Sequence, residues 1–182
     1  MTSHFIDGER IYLREVREED VGDTYYAWMN DKEINQFMET RFFPQGMEAL
    51  LAYVKAHGQK ADEPWFAICL QQDDRHIGNI KLGPINYYHR TADVSYFIGE
   101  KDCWGKGLAT EAIGLVVRFA FEVLALCKLN AGTYAGNVGS QKALEKNGFL
   151  REGVFVNQVS SGGGQREDLF RFGLLREAYE HL

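Results

Sequence analysis

Apolar residues recur along this chain with two different periods, and the two periods predict an alternation of strands and helices. In Arg10–Val16 (RIYLREV), apolar and charged residues alternate, as they do in a half-buried strand. In Met47–Ala56, the apolar residues fall on one stripe at helical spacing, which predicts a short amphipathic helix. A second pattern of helical spacing follows Glu18–Asp20, whose acidic side chains suit the positive end of a helix dipole.

Seven segments of the chain are predicted to be strands. They are Arg10–Val16, Pro64–Leu70, His76–Leu82, Thr91–Ile98, Lys128–Tyr134, Gly153–Val159 and Asp168–Leu174, the last two joined by SSGGGQ. A long amphipathic helix is predicted at Leu108–Leu126, and a shorter helix at Ser140–Asn147 with Gly148 as its cap. No repeat, linker or break in composition interrupts the pattern. We therefore expect a single α/β domain, residues 1–182, with a mixed sheet.

The composition narrows the class of protein. The 182 residues carry 20 basic and 26 acidic side chains, a formal net charge of −6, and 45% of them are apolar. No basic stripe of the kind that binds nucleic-acid phosphates is visible, so a nucleic-acid partner is not expected. The three cysteines are widely spaced and predict neither a disulfide framework nor a paired zinc site, which fits a reducing cytoplasm.

The sequence predicts neither a targeting segment nor a membrane span. The opening residues MTSHFIDGER lack the apolar run of a signal peptide. The most apolar segment, Ala112–Cys127, is interrupted by Arg118 and Glu122. The five histidines show neither HExxH nor clustered spacing, so no metal is expected. We therefore expect a cytoplasmic protein without a membrane partner.

The segment CWGKGLATEA raises the question of a phosphate site. Gly105 and Gly107 precede a predicted helix, whose free N–H groups and positive dipole end can hold an anion. A Walker A loop is excluded, because five residues separate Gly99 from Gly105 and Lys106 is followed by glycine. A dinucleotide-binding fingerprint is excluded, because Thr110 stands at its third glycine position. By itself the segment is equally compatible with a plain turn from strand to helix.

Two motifs in order widen the comparison. YFIGEKDCWGKGLATEA, then a long helix, a strand and GNVGSQKALEKNGF, resemble the acetyl-CoA core of the GNAT N-acetyltransferase superfamily. The form W-G-K-G-x-A-T-E-A is similar to the branch typified by the ribosomal-protein acetyltransferases RimJ and RimL, where Trp replaces the usual Gln or Arg. RIYLREVREED, HIGNI and REDLFRFGLL also have counterparts there. The resemblance implies a GNAT fold with a mixed, mostly antiparallel seven-stranded sheet and helices on both faces.

The resemblance also implies where acetyl-CoA binds. The fourth strand of this fold splays from the fifth, and the pantetheine arm would pair in the gap with backbone groups of Tyr96, Phe97 and Ile98. The pyrophosphate would be held by the N–H groups of Trp104, Gly105, Lys106, Gly107, Leu108, Ala109 and Thr110. Asn137 matches an Asn that binds the cofactor arm, although an Asn in GNVG also suits a turn. Lys106 and Lys142 either pair with CoA phosphates or are simply solvated.

Acetyl transfer to an amine requires a group that takes a proton from the amine and a group that serves the departing thiolate. Asp93 stands where this branch often has Glu, and it either acts as a base through water or makes an ion pair. Glu39, in FMETRF, is a second candidate base. Leu144 stands where many GNAT enzymes carry a Tyr that donates a proton. Ser140 suits both contact with the thioester sulfur and the N-cap of its helix, and Tyr134 is a weaker candidate acid.

The identity of the amine is not written in these motifs. The resemblance implies direct transfer in a ternary complex to a protein N-terminus or a small amine, such as a polyamine or a nucleotide-linked amino sugar. The excess of acidic residues suits a cationic acceptor. Either a monomer or a homodimer is compatible with the sequence. Without the superfamily's Tyr, the alternative is a CoA-binding sensor or scaffold with weak catalysis.

Overall fold

The structure is a computed structural model that describes residues 4–162 and 164–181. Within these residues eight strands form one mixed sheet in the order β1-β2-β3-β4-β5-β6-β8-β7. The strands are β1 (Ile6–Asp7), β2 (Ile11–Glu15), β3 (Trp65–Leu70), β4 (His76–Leu82), β5 (Thr91–Ile98), β6 (Lys128–Tyr134), β7 (Leu150–Gly162) and β8 (Gln165–Leu175). Neighbouring strands are antiparallel except β5 and β6, which run parallel.

Five α-helices accompany the sheet in the described residues. They are α1 (Asp23–Asn30), α2 (Met47–His57), α3 (Leu108–Arg118), α4 (Val138–Glu145) and α5 (Arg176–Tyr179). The predicted helix at Met47–Ala56 is confirmed as α2. Glu18–Asp20 form a separate 3₁₀ turn and α1 begins only at Asp23, because the backbone of Gly22, the N-cap of α1, is extended.

Helices cover both faces of the sheet, as predicted. On one face Ile113 and Val116 of α3 are fully buried in the same cluster as Leu13 of β2. On the other face a smaller cluster from α1 and α2 surrounds Trp28, with Phe97 of β5 packed against it. Because β5 contributes side chains to both clusters, it is a central strand held from two sides.

The parallel pair at the centre of the sheet is short. Within the described chain, β5 and β6 are in register only at Thr91 with Lys128, Ala92 with Leu129 and Asp93 with Asn130. Beyond these three pairs the strands diverge, while β5 continues its pairing with β4 as far as Ile98. The predicted separation of these two strands is therefore confirmed.

The predicted number of strands was too low by one. β1 is two residues long and pairs Ile6 with Leu13, so it is too short for any alternation of residue types to reveal it. The last two strands are also longer than predicted, because their hairpin continues into SSGGGQ. In that segment Gly163 lies outside the described residues.

The predicted helix Leu108–Leu126 ends earlier than its apolar pattern suggested. After Arg118 the chain forms a π-helical turn over Phe119–Val123, closed by the Leu124 N–H bond to the Phe119 carbonyl at 3.1 Å. Ala125 then adopts a left-handed backbone with φ of 52°, which stops the helix. The apolar pattern persists because Phe121 remains in the same core as α3, so the period alone gave no sign of the change.

Candidate active site

A cavity of about 510 Å³ opens where β5 separates from β6, between β5 and the first turns of α3 and α4. Tyr96, Phe97 and Ile98 of β5 line it, together with Asn137 and Ser140 of the α4 N-terminus. The remaining predicted cofactor residues that line it are Trp104, Gly105, Gly107, Leu108, Ala109 and Thr110. Lys106 is the predicted loop residue that does not. The structure thus brings nearly all the predicted cofactor residues to one cavity.

The two glycines before α3 have the backbone conformation that their sequence pattern suggested. Gly105 has φ of 71° and Gly107 has φ of 78°, both in the left-handed region that costs other residues about 1–2 kcal/mol. Gly107 is the N-cap of α3, so the first N–H groups of that helix have no intrahelical partner. Leu108, Ala109 and Thr110, the first residues of the helix, line the cavity. An anion in the cavity would meet these N–H groups and the positive end of the helix dipole.

Trp104 ties this turn to the end of β5. Its indole N–H donates a hydrogen bond of 2.8 Å to the carbonyl oxygen of Ile98. The tryptophan that replaces the more usual Gln or Arg therefore links the two walls of the cavity. The sequence motif showed the replacement but not this contact.

The backbone of β5 offers only part of the edge that was predicted. The Asp93 carbonyl accepts from Gly83 N–H at 2.7 Å, so the odd-numbered residues of β5 face β4. Phe97 is accordingly paired with Asn79, and its backbone groups are directed away from the gap. Tyr96 and Ile98 face the gap instead, since backbone direction alternates along a strand. Of the predicted backbone contacts, that of Phe97 is thus the one the geometry opposes.

The N-cap of α4 is Asn137, and not Ser140 as one sequence-based alternative had it. The Asn137 side-chain oxygen accepts the Ser140 N–H at 3.1 Å, which places Ser140 in the first turn of the helix. The cap falls three residues earlier because Val138 and Gly139 already have helical geometry. Ser140 is thereby released from capping, and its hydroxyl is available for a different contact.

That contact is with Tyr96. The Tyr96 hydroxyl lies 2.8 Å from Oγ of Ser140 and 3.2 Å from the Ser140 carbonyl oxygen. Burial raises the pKa of Tyr96 to about 12, although the bond to Ser140 opposes part of that rise. The phenol is therefore protonated and able to donate at neutral pH. Sequence reasoning used only the backbone of Tyr96, whereas its even position in β5 signalled that the side chain faces the same way as Val94 and Ile98.

The two predicted carboxylates do not line the cavity. They lie on the face of the sheet opposite to the Tyr96 side chain. Asp93 makes an ion pair with Arg171 at 3.4 Å, and its side chain is 45% exposed. Glu39 accepts a short hydrogen bond from the hydroxyl of Tyr134, whose pKa is raised to about 12 by burial and by this carboxylate. Tyr134 shares a sheet face with Asp93, because Asn130 pairs with Asp93 and lies four residues before Tyr134.

The segment that carries Glu39 connects this face with the cavity. Phe37 lines the cavity and packs edge-on against Tyr134, with ring centroids 5.9 Å apart. The Arg41 guanidinium lies 4.9 Å from the Tyr134 ring centroid and also donates to the Ser160 carbonyl of β7. The segment is thereby fixed to both β6 and β7, next to the gap.

Among residues 4–162 and 164–181, no group of three or more His, Cys, Asp or Glu side chains is arranged to hold a metal ion. Within the same ranges no helix has the length and apolar character needed to cross a membrane.

Comparison with known proteins identifies the fold family. The family model described as acetyltransferase (GNAT) domain matches residues 10–150, which include the glycine turn and α4. The chain belongs to the GNAT family of acetyltransferases. The predicted enzyme class, an acetyltransferase with acetyl-CoA as cosubstrate, is confirmed at this level.

Individual relatives agree with the family. The chain is 32% identical over 164 residues to a Bacillus subtilis protein named "Probable N-acetyltransferase YjcK", covering 87% of this chain and 90% of that protein. It is 30% identical over 103 residues to the spermidine N(1)-acetyltransferase of Vibrio cholerae, over 57% of this chain and 58% of that one. Among solved structures, the Vibrio cholerae spermidine N-acetyltransferase in complex with CoA and spermine has a TM-score of 0.84 at 24% identity. That match covers 95% of this chain and 99% of the other, and it supports the GNAT fold.

Proposed function

We propose that this acetyltransferase binds acetyl-CoA in the cavity between β5 and β6 and transfers the acetyl group directly to a small primary amine in a ternary complex. The observation that carries the proposal is the coincidence of two features. The unpaired side of β5 and the N-terminus of α3, preceded by Gly105 and Gly107 with positive φ, open onto one cavity. A strand edge suits the amide-containing pantetheine arm, and a helix N-terminus suits the pyrophosphate. We take the whole chain, residues 1–182, as one domain.

Three parts of the cavity wall bind the donor: β5, the glycine turn before α3, and α4 with the residue that follows it. Backbone groups of Tyr96 and Ile98 pair with the pantetheine arm, and the N–H groups of the glycine turn hold the pyrophosphate. Lys142 of α4 and Lys146, which directly follows α4, line the cavity, and they offer positive charge to the phosphates. Lys106 does not line the cavity and is left out of this binding set. Asn137 acts indirectly, because its side chain is occupied by the cap of α4.

Ser140 and Tyr96 serve the leaving group. When the amine nitrogen bonds to the acetyl carbon, the carbon–sulfur bond breaks and the sulfur must be protonated or stabilised as the thiolate. The Ser140 hydroxyl lines the cavity, and the Tyr96 phenol is hydrogen-bonded to it. We assign Ser140 as the direct hydrogen-bond donor to sulfur, with Tyr96 supporting it. This pair occupies the role that Leu144, which is fully buried, is unable to fill.

The acceptor approaches from the face that carries Glu39 and Asp93. Asp93 lies where β5 and β6 begin to separate and pairs with Arg171, whereas Glu39 accepts from Tyr134 at the end of β6. Glu39 binds the ammonium form of the acceptor and relays its proton, through water, before attack. The charge of Asp93 is balanced by Arg171, so Glu39 is the carboxylate that we assign to the acceptor. A cationic acceptor is thus favoured over an anionic one.

A small amine is favoured over a protein N-terminus for two reasons. One relative is named as a spermidine acetyltransferase. The segment around Phe37 and Arg41 contacts Tyr134 and Ser160, and it thereby narrows the space left for the acceptor. The motif W-G-K-G-x-A-T-E-A supports a position in the RimJ/RimL-like branch, whose members include enzymes for both kinds of acceptor.

The test is thiol release from acetyl-CoA measured with a panel of amines: polyamines, amino acids, nucleotide-linked amino sugars and peptides with free N-termini. We expect turnover with small cationic amines and little with peptides. Efficient turnover with peptides alone would replace the small-amine proposal by N-terminal acetylation. Tight CoA binding without turnover for any amine would make the chain a CoA sensor or scaffold. Absence of CoA binding in calorimetry would overturn the cavity assignment itself.

A further inference from the structure

On the side of the glycine turn that faces away from the cavity, Arg10 from the N-terminal part of the chain contacts the loop. The Arg10 guanidinium donates to the Lys106 carbonyl at 2.8 Å and to the Gly107 carbonyl at 3.3 Å. Arg10 directly precedes β2 and does not line the cavity. It therefore contacts the back of the turn and not the ligand.

This contact determines the direction of the N–H groups on the cavity side of the turn. In a trans peptide the C=O and the next residue's N–H point in opposite directions. The carbonyls of Lys106 and Gly107 are directed to Arg10, so the N–H groups of Gly107 and Leu108 are directed the other way. Gly107 and Leu108 both line the cavity. The guanidinium thereby holds both peptides in this orientation, and the bond of 3.1 Å from the Glu111 N–H to the Gly107 carbonyl also holds the second.

Glu111 fixes the guanidinium in turn. One carboxylate oxygen accepts Arg10 Nε–H at 2.8 Å, and the other accepts the backbone N–H of Arg10 at 2.8 Å and of Ile11 at 3.3 Å. The Glu111 side chain is only 15% exposed, and a Cβ at Gly8 would come within 2.7 Å of its oxygen. Gly8 therefore leaves the room that lets this carboxylate reach β2.

We propose that Arg10 is a positioning residue that presets the Gly107 and Leu108 N–H groups for the pyrophosphate of acetyl-CoA, with Glu111 orienting Arg10. This inference rests on the proposed acetyl-CoA site. The left-handed glycines make the turn conformationally permissive, since glycine visits many backbone states. The two-carbonyl contact selects the state in which the donors point to the phosphate. Donors that are already oriented bind an anion without the cost of ordering the loop first.

The proposal predicts a loss that depends on the phosphate part of the donor. Arg10→Met keeps the backbone N–H bond to Glu111 and removes both carbonyl contacts, together with the Nε–H bond to Glu111. We expect the Kd of CoA, measured by titration calorimetry, to rise about tenfold, which corresponds to about 1.4 kcal/mol. The kcat/KM for S-acetylpantetheine, a donor without pyrophosphate, should stay within twofold of the wild type. Arg10→Lys, which keeps the charge but lacks the fork, should recover only part of the CoA affinity.

Controls separate this role from a purely structural one. Arg118→Met removes another exposed arginine, at the end of α3, which donates to the Asp7 carbonyl at 3.4 Å, and it should leave the Kd of CoA unchanged. An Arg10→Met protein with wild-type CoA affinity would overturn the proposal. Equal losses with CoA and S-acetylpantetheine would overturn it as well, because a general disturbance has no phosphate dependence. If Arg10→Met does not fold, the same two comparisons are made with Arg10→Lys. Failure of the wild type to bind CoA would instead contradict the proposed function.

Discussion

The Tyr96 hydroxyl and the Ser140 Oγ lie 2.8 Å apart, although 44 residues separate them in the chain. The strand supplies the phenol and the first turn of α4 supplies the hydroxyl, so the pair exists only because Asn137, and not Ser140, caps that helix. A serine engaged in capping would direct its oxygen to the backbone. Here the oxygen is left for the cavity and for Tyr96.

Removing this pair should slow catalysis more than it weakens binding of the donor. We expect Ser140→Ala to lower kcat by about tenfold or more, since positioned proton donors contribute at least this much. Tyr96→Phe should have a smaller effect, because Ser140 remains in contact with sulfur. Steady-state kinetics with saturating amine measure both, and the exposed Ser95 of the same strand provides the control variant Ser95→Ala. Wild-type kcat in Ser140→Ala would contradict the assignment.

The left-handed turn before α3 should tolerate no side chain without cost. Gly107→Ala is expected to lower the free energy of unfolding by about 1 kcal/mol, because φ of 78° is strained for alanine. Space is not the reason, since the added Cβ would lie 3.6 Å from Arg10 Nη2. Gly153→Ala, at a position with nothing within 4 Å and without a positive φ, is the matched control in urea denaturation. Equal effects of the two substitutions would exclude backbone strain as the cause.

A different glycine is required by close packing of strands. A Cβ at Gly78 in β4 would lie 2.2 Å from the Phe97 carbonyl oxygen of β5. Gly78→Ala should therefore push the two strands apart and lower the free energy of unfolding by roughly 3 kcal/mol or more. Denaturant titration measures the loss, and Gly22→Ala, where no atom lies within 4 Å, is the control. Two variants of similar stability would show that β5 yields easily at this point.

Glu39 should matter for the acceptor and not for the donor. Glu39→Gln removes the charge beside Tyr134, and we expect the KM for a cationic amine to rise about tenfold at constant KM for acetyl-CoA. The exposed Glu48 of α2 gives the control Glu48→Gln, which changes the net charge equally. If both variants have the same amine KM, only the overall charge is involved.

Acid should weaken the fold through buried imidazoles. Burial lowers the pKa of His76, a shift that nearby Asp20 opposes and Arg14 reinforces. Because the folded chain binds this proton less readily than the unfolded chain, stability is complete above about pH 6.5 and falls as the pH decreases below it. The free energy of unfolding should therefore be lower at pH 5 than at pH 7.

The variant His76→Gln should flatten this pH dependence, and His89→Gln, at an exposed position, should not. Urea titrations at each pH give the comparison, and NMR of the imidazole resonances gives the titration itself. If the free energy of unfolding of His76→Gln still falls with pH as in the wild type, the acid sensitivity comes from other groups. Buried His57 would then be the next candidate, because burial lowers its pKa too.

Sequence patterns predicted most of the strands and the cofactor side of the site because these depend on local signals. Gly105 and Gly107 stand out by residue type, and the alternation in Thr91–Ile98 marks a strand whose bounds are confirmed. The contacts of Tyr96 and Arg10 were missed, because each joins residues far apart in the chain. Arg10 and Lys106 are 96 positions apart, and no period or spacing encodes such a pair.

The three-pair contact between β5 and β6 has a consequence for how the protein opens. Strands β1 to β5 form one continuously paired group and β6 to β8 another, and in the described residues β5 and β6 pair only at Thr91–Asp93, next to the Arg90 carbonyl that accepts the Cys127 N–H. A donor bound in the gap would contact both groups of strands and hold them together while it is bound. Amide exchange should then be slowed in both groups of strands when CoA is present, although only a few residues touch CoA.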